Sequence, residues 1–224
     1  MRNDDIIYLS HFIDAETPTY GNRTIIKIDQ TSSIKDGYTA NSFSFSTSSN
    51  HIGTHIDLPS HFFDSEKNVS FYNPNAWIFN KIGLVDIQIL SSKLIDLDAD
   101  ELNLDYKIDL LLIRTGYEQF RNEDKYWNNY PGFKLSFIKK IKNKYKNLRA
   151  IGFDFISLTS PINKEEGKKC HLELLNPKEE IFIIEDMKLS EVNNHINKVT
   201  ILPWQINNLD SSPVSIIAEM NINK

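Results

Sequence analysis

Apolar and polar residues change their spacing several times along the chain, and each change predicts an element. Asn41 to Ser46 alternates phenylalanine with serine at period two, which predicts a half-buried strand. Ile6–Leu9, Ile25–Ile28, Gly83–Leu90, Ala150–Phe155, Ile181–Ile184 and Val214–Ala218 are short apolar or β-branched runs of strand length. Asp109–Thr115 is apolar almost to its end, as expected of a strand covered on both faces. From Lys134 to Tyr145 the spacing changes: Leu135, Ile138, Ile141 and Tyr145 fall three or four apart and form one stripe of an amphipathic helix. A second helix is expected near Ser91–Leu94 or Asp98–Leu102. No internal repeat or low-complexity linker interrupts the chain. Residues 1–224 therefore read as a single α/β domain with a mixed, β-rich core and flanking helices.

Composition narrows the function classes. The chain has 224 residues, long enough to bury a core without disulfides, and its single cysteine, Cys170, excludes a disulfide framework and a Cys₄ zinc site. Cys170 reads as a small packing residue. The formal net charge of −5 gives no global basic field for nucleic acid. For the same reason the lysines at 134, 139, 140, 142, 144 and 146 read as a solvated helix face and not as a membrane anchor. No apolar run approaches the roughly 18–20 residues that span a bilayer. Met1–Asp5 turns acidic at once and lacks a signal-peptide core, so a cytoplasmic location is expected. No Gly-x-Ser-x-Gly elbow, Walker A loop or Gly-x-Gly-x-x-Gly loop occurs.

The histidines are not scattered. Three of the six fall in one segment, His51-Ile52-Gly53-Thr54-His55-Ile56-Asp57-Leu58-Pro59-Ser60-His61. Gly53 and Pro59 oppose a regular helix there. In an extended chain the odd positions share a side. They carry His51, Gly53, His55, Asp57, Pro59 and His61, while Ile52, Thr54, Ile56 and Leu58 take the other side. Pro59 is expected to bend the chain, yet the alternation still separates a ligand-rich face from a core-facing one. Neutral imidazole and carboxylate are standard ligands of zinc and similar ions, so this segment predicts a metal site. A second cluster, Cys170-His171 through Glu185-Asp186, ends a strand-like run with acids. Taken alone, Glu185 and Asp186 read as ordinary surface acids after a strand. His11 and His195 have no ligand partners nearby in sequence and read as structural or exposed.

The pattern His51-x-Gly53-Thr54-His55-x-Asp57-x-Pro59-x-His61 resembles the signature of the cyclase family of metal-dependent hydrolases, which includes bacterial kynurenine formamidase (arylformamidase) and isatin hydrolase. Asp109–Tyr117, Tyr126-Trp127, Tyr130–Phe133, Gly152–Asp154 with Ser157, His171 with Leu174-Leu175, Ile183–Glu185 and Ser212–Val214 follow in the family's order. The resemblance implies a swivelling β/β/α fold and assembly as a homodimer or homotetramer. It implies that His51, His55 and Asp57 bind a first divalent ion, zinc or manganese, with Asp57 bridging to a second. His171 would bind the second ion, Glu185 would bridge both, and His61 would donate and accept protons. Tyr20 stands where the formamidases carry a substrate-contacting aromatic residue. The surrounding Tyr20-Gly21-Asn22 lacks the proline and acid of the formamidase turn.

The expected activity is hydrolysis of a carbon–nitrogen bond in a small amide, formamide or cyclic amide. Water acidified at the metal, in favourable cases to a pKa of about 7, attacks the carbonyl, and His61 serves as general acid and base. Two alternatives stand beside it: a non-catalytic metal-binding scaffold of the same fold, and a metal-dependent lactone hydrolase or dehydratase. A small-molecule substrate is expected, with neither nucleic acid nor membrane as partner.

Overall fold

A computed structural model describes residues 6–192 and 195–220. Met1–Asp5, read above for its charge, lies outside the described residues. The strands are β1 (Ile6–Tyr8), β2 (Ile26–Ser32), β3 (Ser42–Thr47), β4 (His55–Asp57), β5 (Ile78–Phe79), β6 (Ile82–Asp86) and β7 (Leu94–Ile95). They continue with β8 (Leu110–Arg114), β9 (Gly132–Phe133), β10 (Ala150–Phe153), β11 (Phe182–Glu185), β12 (Ile196–Pro203) and β13 (Ser211–Met220). The α-helices are α1 (Lys125–Asn128), α2 (Leu135–Lys144) and α3 (Lys164–Leu174).

One mixed sheet runs β5-β12-β13-β4-β11-β10-β8-β6, with β1 added against β13. Strands β6, β8, β10 and β11 are parallel, and β4 turns the direction by pairing antiparallel with β11 and β13. The two ends of this path, β5 and β6, are separated in sequence only by Asn80 and Lys81, so the sheet curls back almost onto itself. The Asp109 carboxylate accepts hydrogen bonds from both linking amides, Asn80 N at 3.2 Å and Lys81 N at 2.9 Å.

The parallel strands are apolar on both faces because both faces are covered. Leu110 and Leu112 of β8 face one core with Ile56, Phe79, Ile184 and Val199. Leu111 and Ile113 face the other, with Ile151, Phe153 and Ile183. Phe137, Ile138 and Ile141 of α2, and Cys170 and Leu174 of α3, close this second core from outside. The predicted amphipathic stripe is thus the buried face of α2. Cys170 is a packing residue, its Sγ 3.4 Å from the Phe133 carbonyl.

Several expectations are corrected. Ser91–Leu94 forms no helix; Leu94 instead opens β7, which pairs with β9. Asp98 caps a single 3₁₀ turn over Ala99–Leu102, too short to bury a stripe. The β3 strand exists but is not half-buried, and its Phe43 is 64% exposed. The cause is its pairing: β2 and β3 form a hairpin with each other and, among the described residues, join no larger sheet that could cover a face. The strand predicted over Gly83–Leu90 stops at Asp86, whose carboxylate pairs with Arg114. Among the described residues no helix is long and apolar enough to cross a membrane.

Candidate metal centre

The predicted alternation holds over three residues and then gives way to turns. His55, Ile56 and Asp57 form β4, wedged between β11 and β13. Register places Glu185 directly opposite His55, so the two side chains leave the same face, and Asp57 follows two residues on. Ile56 and Ile184 point to the opposite face and enter the first core. Because Ile183 and Glu185 share a face, the polar cluster lies on the helix-covered side of the sheet, where α3 brings His171.

His51 and His61 reach the cluster by a different route. Gly53 has a φ of +55°, a left-handed conformation that breaks the strand between His51 and His55. Pro59–His61 is a 3₁₀ turn, with Phe62 N donating to the Pro59 carbonyl at 3.2 Å. Phe62 then stacks on the His171 ring, centroids 4.5 Å apart and planes 13° from parallel.

Both buried imidazoles are oriented by the backbone. His55 Nδ1 donates to the Gly53 carbonyl at 2.8 Å, and His171 Nδ1 donates to the Gly167 carbonyl at 2.9 Å. In each ring this leaves Nε2 as the free nitrogen. His55 Nε2 lies 3.4 Å from Glu185 Oε2 and 3.7 Å from Asp57 Oδ1. His171 Nε2 lies 3.8 Å from Glu185 Oε1 and 3.9 Å from Asp57 Oδ2. Glu185 Oε1 also accepts from the Leu158 amide at 2.7 Å. Asp57 is the middle of the cluster. Its Oδ1 is buried, lies 3.2 Å from His51 Nδ1 and has no hydrogen-bond partner among the described residues.

An orphaned, buried carboxylate oxygen is costly unless something cationic satisfies it. The donors around it suit a divalent ion: His51, His55 and Asp57 form one group and Asp57, His171 and Glu185 a second, with donor atoms inside 4.8 Å of one another. The five side chains named from sequence converge, and the geometry fits one ion or two sharing Asp57. A third group, His51, His61 and Asp210, lies beside them.

The charges are strongly coupled. Burial alone would push His51 down, but the Asp210 and Asp57 carboxylates flanking its ring outweigh burial and raise it to about 10. His55 is raised in the same way, burial being overcome by Glu185 and Asp57. Burial would raise Asp57, yet the imidazoles of His51, His55 and His61 hold it well below the usual carboxylate range. Protonated imidazoles and a divalent cation compete for the same carboxylates, so metal uptake must release protons.

The cluster opens to a cleft of about 400 Å³ lined also by Tyr20, Thr24, Ser49, Phe62, Ser157 and Thr159. Tyr20 sits at the head of a 3₁₀ turn and is exposed. Asp186, next to Glu185, is buried and not a surface acid; Arg121 grips its carboxylate through two nitrogens. His11 and His195 lie outside the cleft. Sequence reading missed Asp210, which accepts from His61 Nδ1 at 2.7 Å. It also missed α3 itself. The available signal was Asn163 three residues before Glu166, whose amide donates to Asn163 Oδ1 at 3.0 Å as an N-cap.

Gly167 lets α3 approach closely enough for His171 to reach the cluster. A Cβ there would lie 2.6 Å from Thr159 Cα, a backbone atom that cannot swing aside. Alanine is the better helix former by about 1 kcal/mol, but overpacking of this kind costs about 1–3 kcal/mol. Gly167→Ala is therefore expected to lower the urea midpoint and to weaken metal binding. An unchanged midpoint would show that α3 has room to move.

The family model described as "Putative cyclase" matches residues 7–159. Kynurenine formamidase of Bacillus cytotoxicus is 29% identical over 171 residues, covering 76% of this chain and 77% of that protein. The structure of isatin hydrolase A from Labrenzia aggregata superposes with a TM-score of 0.78 at 17% identity, covering 95% of this chain and 92% of that one. A predicted metal-dependent hydrolase from Bacillus stearothermophilus superposes at 0.73, also at 17% identity, covering 95% and 97%. At that identity the two superpositions show a shared fold.

Proposed function

The chain belongs to the cyclase family, and from that premise we propose that it is a metal-dependent hydrolase of a carbon–nitrogen bond in a small amide, formamide or cyclic amide. The observation that carries the reading is the pairing of His55 and His171. Each is turned by a backbone carbonyl so that its Nε2 faces the carboxylates of Asp57 and Glu185. The similarity to a kynurenine formamidase supports the choice of bond.

His51, His55, Asp57, His171 and Glu185 would hold one or two ions, zinc or manganese by donor type. A divalent ion supplies Lewis acidity, polarising a carbonyl and making water acidic enough to act as a nucleophile near neutral pH. The chain's own residues do the rest. His61 lines the cleft with Nδ1 bonded to Asp210 behind it, so Nε2 is the atom that takes a proton from water and returns it to the leaving nitrogen. Phe62 covers one face of His171 and keeps water from that side. Tyr20, at the mouth, would orient the substrate.

The test is elemental analysis of purified protein together with hydrolysis assays on N-formylkynurenine, isatin, simple amides and a lactone panel. Expected are about one to two divalent ions per chain and turnover of at least one carbon–nitrogen substrate, lost on chelation and restored by metal. Metal-loaded protein that turns over nothing in the panel would support the scaffold reading. Turnover of lactones alone would move the substrate class, and absence of ¹⁸O from labelled water in the product would indicate a dehydratase.

A further inference from the structure

Asp210 lies immediately before β13, 149 residues from His61 in sequence, and is held in place from three sides. Its backbone carbonyl accepts from the Leu58 amide at 3.1 Å. Its Oδ1 accepts from Asn50 Nδ2 at 2.9 Å, and the same Asn50 nitrogen donates to the Ser211 carbonyl at 2.8 Å. The remaining oxygen, Oδ2, faces two imidazoles at once, His61 Nδ1 at 2.7 Å and His51 Nε2 at 3.3 Å. Those rings lie 4.4 Å apart, tilted by 42°.

We propose that Asp210 is a positioning residue that orients two functional histidines with one carboxylate: His51, so that Nδ1 faces Asp57, and His61, so that Nε2 faces the cleft. This inference rests on the hydrolase reading and adds to it a link between metal retention and proton transfer. A carboxylate that accepts the outer N–H of an imidazole selects the tautomer and aims the other nitrogen. Here one oxygen does so for both rings, so displacing it disturbs both functions.

The competing assignment is that Asp210 is itself a ligand, completing the group with His51 and His61. The geometry favours positioning. Asp210 does not line the cleft. Its Oδ1 is engaged by Asn50, and the His51 nitrogen it meets is the one turned away from Asp57.

Asp210→Ala and Asp210→Asn separate the two in zinc-loaded protein. The number of zinc sites, read by calorimetric titration of the chelator-stripped chain, is expected to stay as in the unmodified protein, with affinity about 10- to 100-fold weaker in the alanine variant. In ¹⁵N–¹H correlation spectra His61 is expected as the Nδ1–H tautomer in the unmodified protein, losing that signature in Asp210→Ala. Asparagine keeps an acceptor oxygen and should recover part of both. On a substrate that turns over, kcat should fall with KM little changed. Loss of a zinc site in Asp210→Asn would make Asp210 a ligand and overturn the proposal. Unchanged affinity and tautomer in both variants would overturn it as well. If the unmodified protein binds zinc but hydrolyses nothing, the hydrolase reading fails while titration and spectra still decide the role of Asp210.

Discussion

Asp57→Ala is expected to purify without metal and without hydrolytic activity. Asp57 is the residue shared by the two donor groups that meet at the cluster's centre, so its removal leaves His51 with His55 on one side and His171 with Glu185 on the other. Two donors each is a poor site for an ion that takes four or more ligands. The charge balance changes in the same direction. With Asp57 gone, the imidazoles of His51 and His55 lose a carboxylate that lies 3.2 Å from one and 3.7 Å from the other, and a cation brought among them meets less compensating charge. The fold itself should tolerate the change. Among the described residues Asp57 Oδ1 has no hydrogen-bond partner to strand, and β4 is held by backbone pairing to both neighbours. Elemental analysis with a far-ultraviolet circular dichroism control measures both halves of the claim. Full metal content in a folded variant would show that the centre does not depend on Asp57, and the two-group description of it would be wrong.

What could be seen in sequence, and what could not, follows from the range of the interactions. The odd-position set of residues 51–61 identified His51, His55, Asp57 and His61 together, because a short extended stretch keeps its own periodicity. Even so, only His55 and Asp57 are on a strand; Gly53 and Pro59 bring the other two histidines in by turns. His171 and Glu185 were chemically visible, but their role came from family resemblance. Their approach to Asp57 depends on the register of β11 against β4 and on the placement of α3, and neither is encoded locally. Asp210 gave no signal at all: a lone acid in a turn is ordinary, and its partners are remote in sequence. The hairpin failed in the opposite sense. Phe43 and Phe45 alternate as in a half-buried strand, but alternation reports which residues share a face, not whether anything covers it.

His61→Ala should have the complementary signature, keeping metal and losing turnover. His61 belongs to neither donor group that contains Asp57, and its Nδ1 is taken by Asp210, so its loss removes a proton carrier from the cleft wall without removing a donor from the centre. General acid–base catalysis of this kind contributes roughly 10²–10⁴-fold, and that is the expected fall in kcat. Metal content close to that of the unmodified protein, with slow residual hydrolysis, is the result expected from elemental analysis and steady-state kinetics on the same preparation. Full activity would remove His61 from the mechanism, and loss of metal would place it among the ligands. The two substitutions should also fail to add. With Asp57 absent there is no loaded centre for a proton carrier to serve, so Asp57→Ala/His61→Ala should be no slower than Asp57→Ala alone. Independent, additive losses would instead mean that His61 acts on a reaction that does not pass through the Asp57 centre.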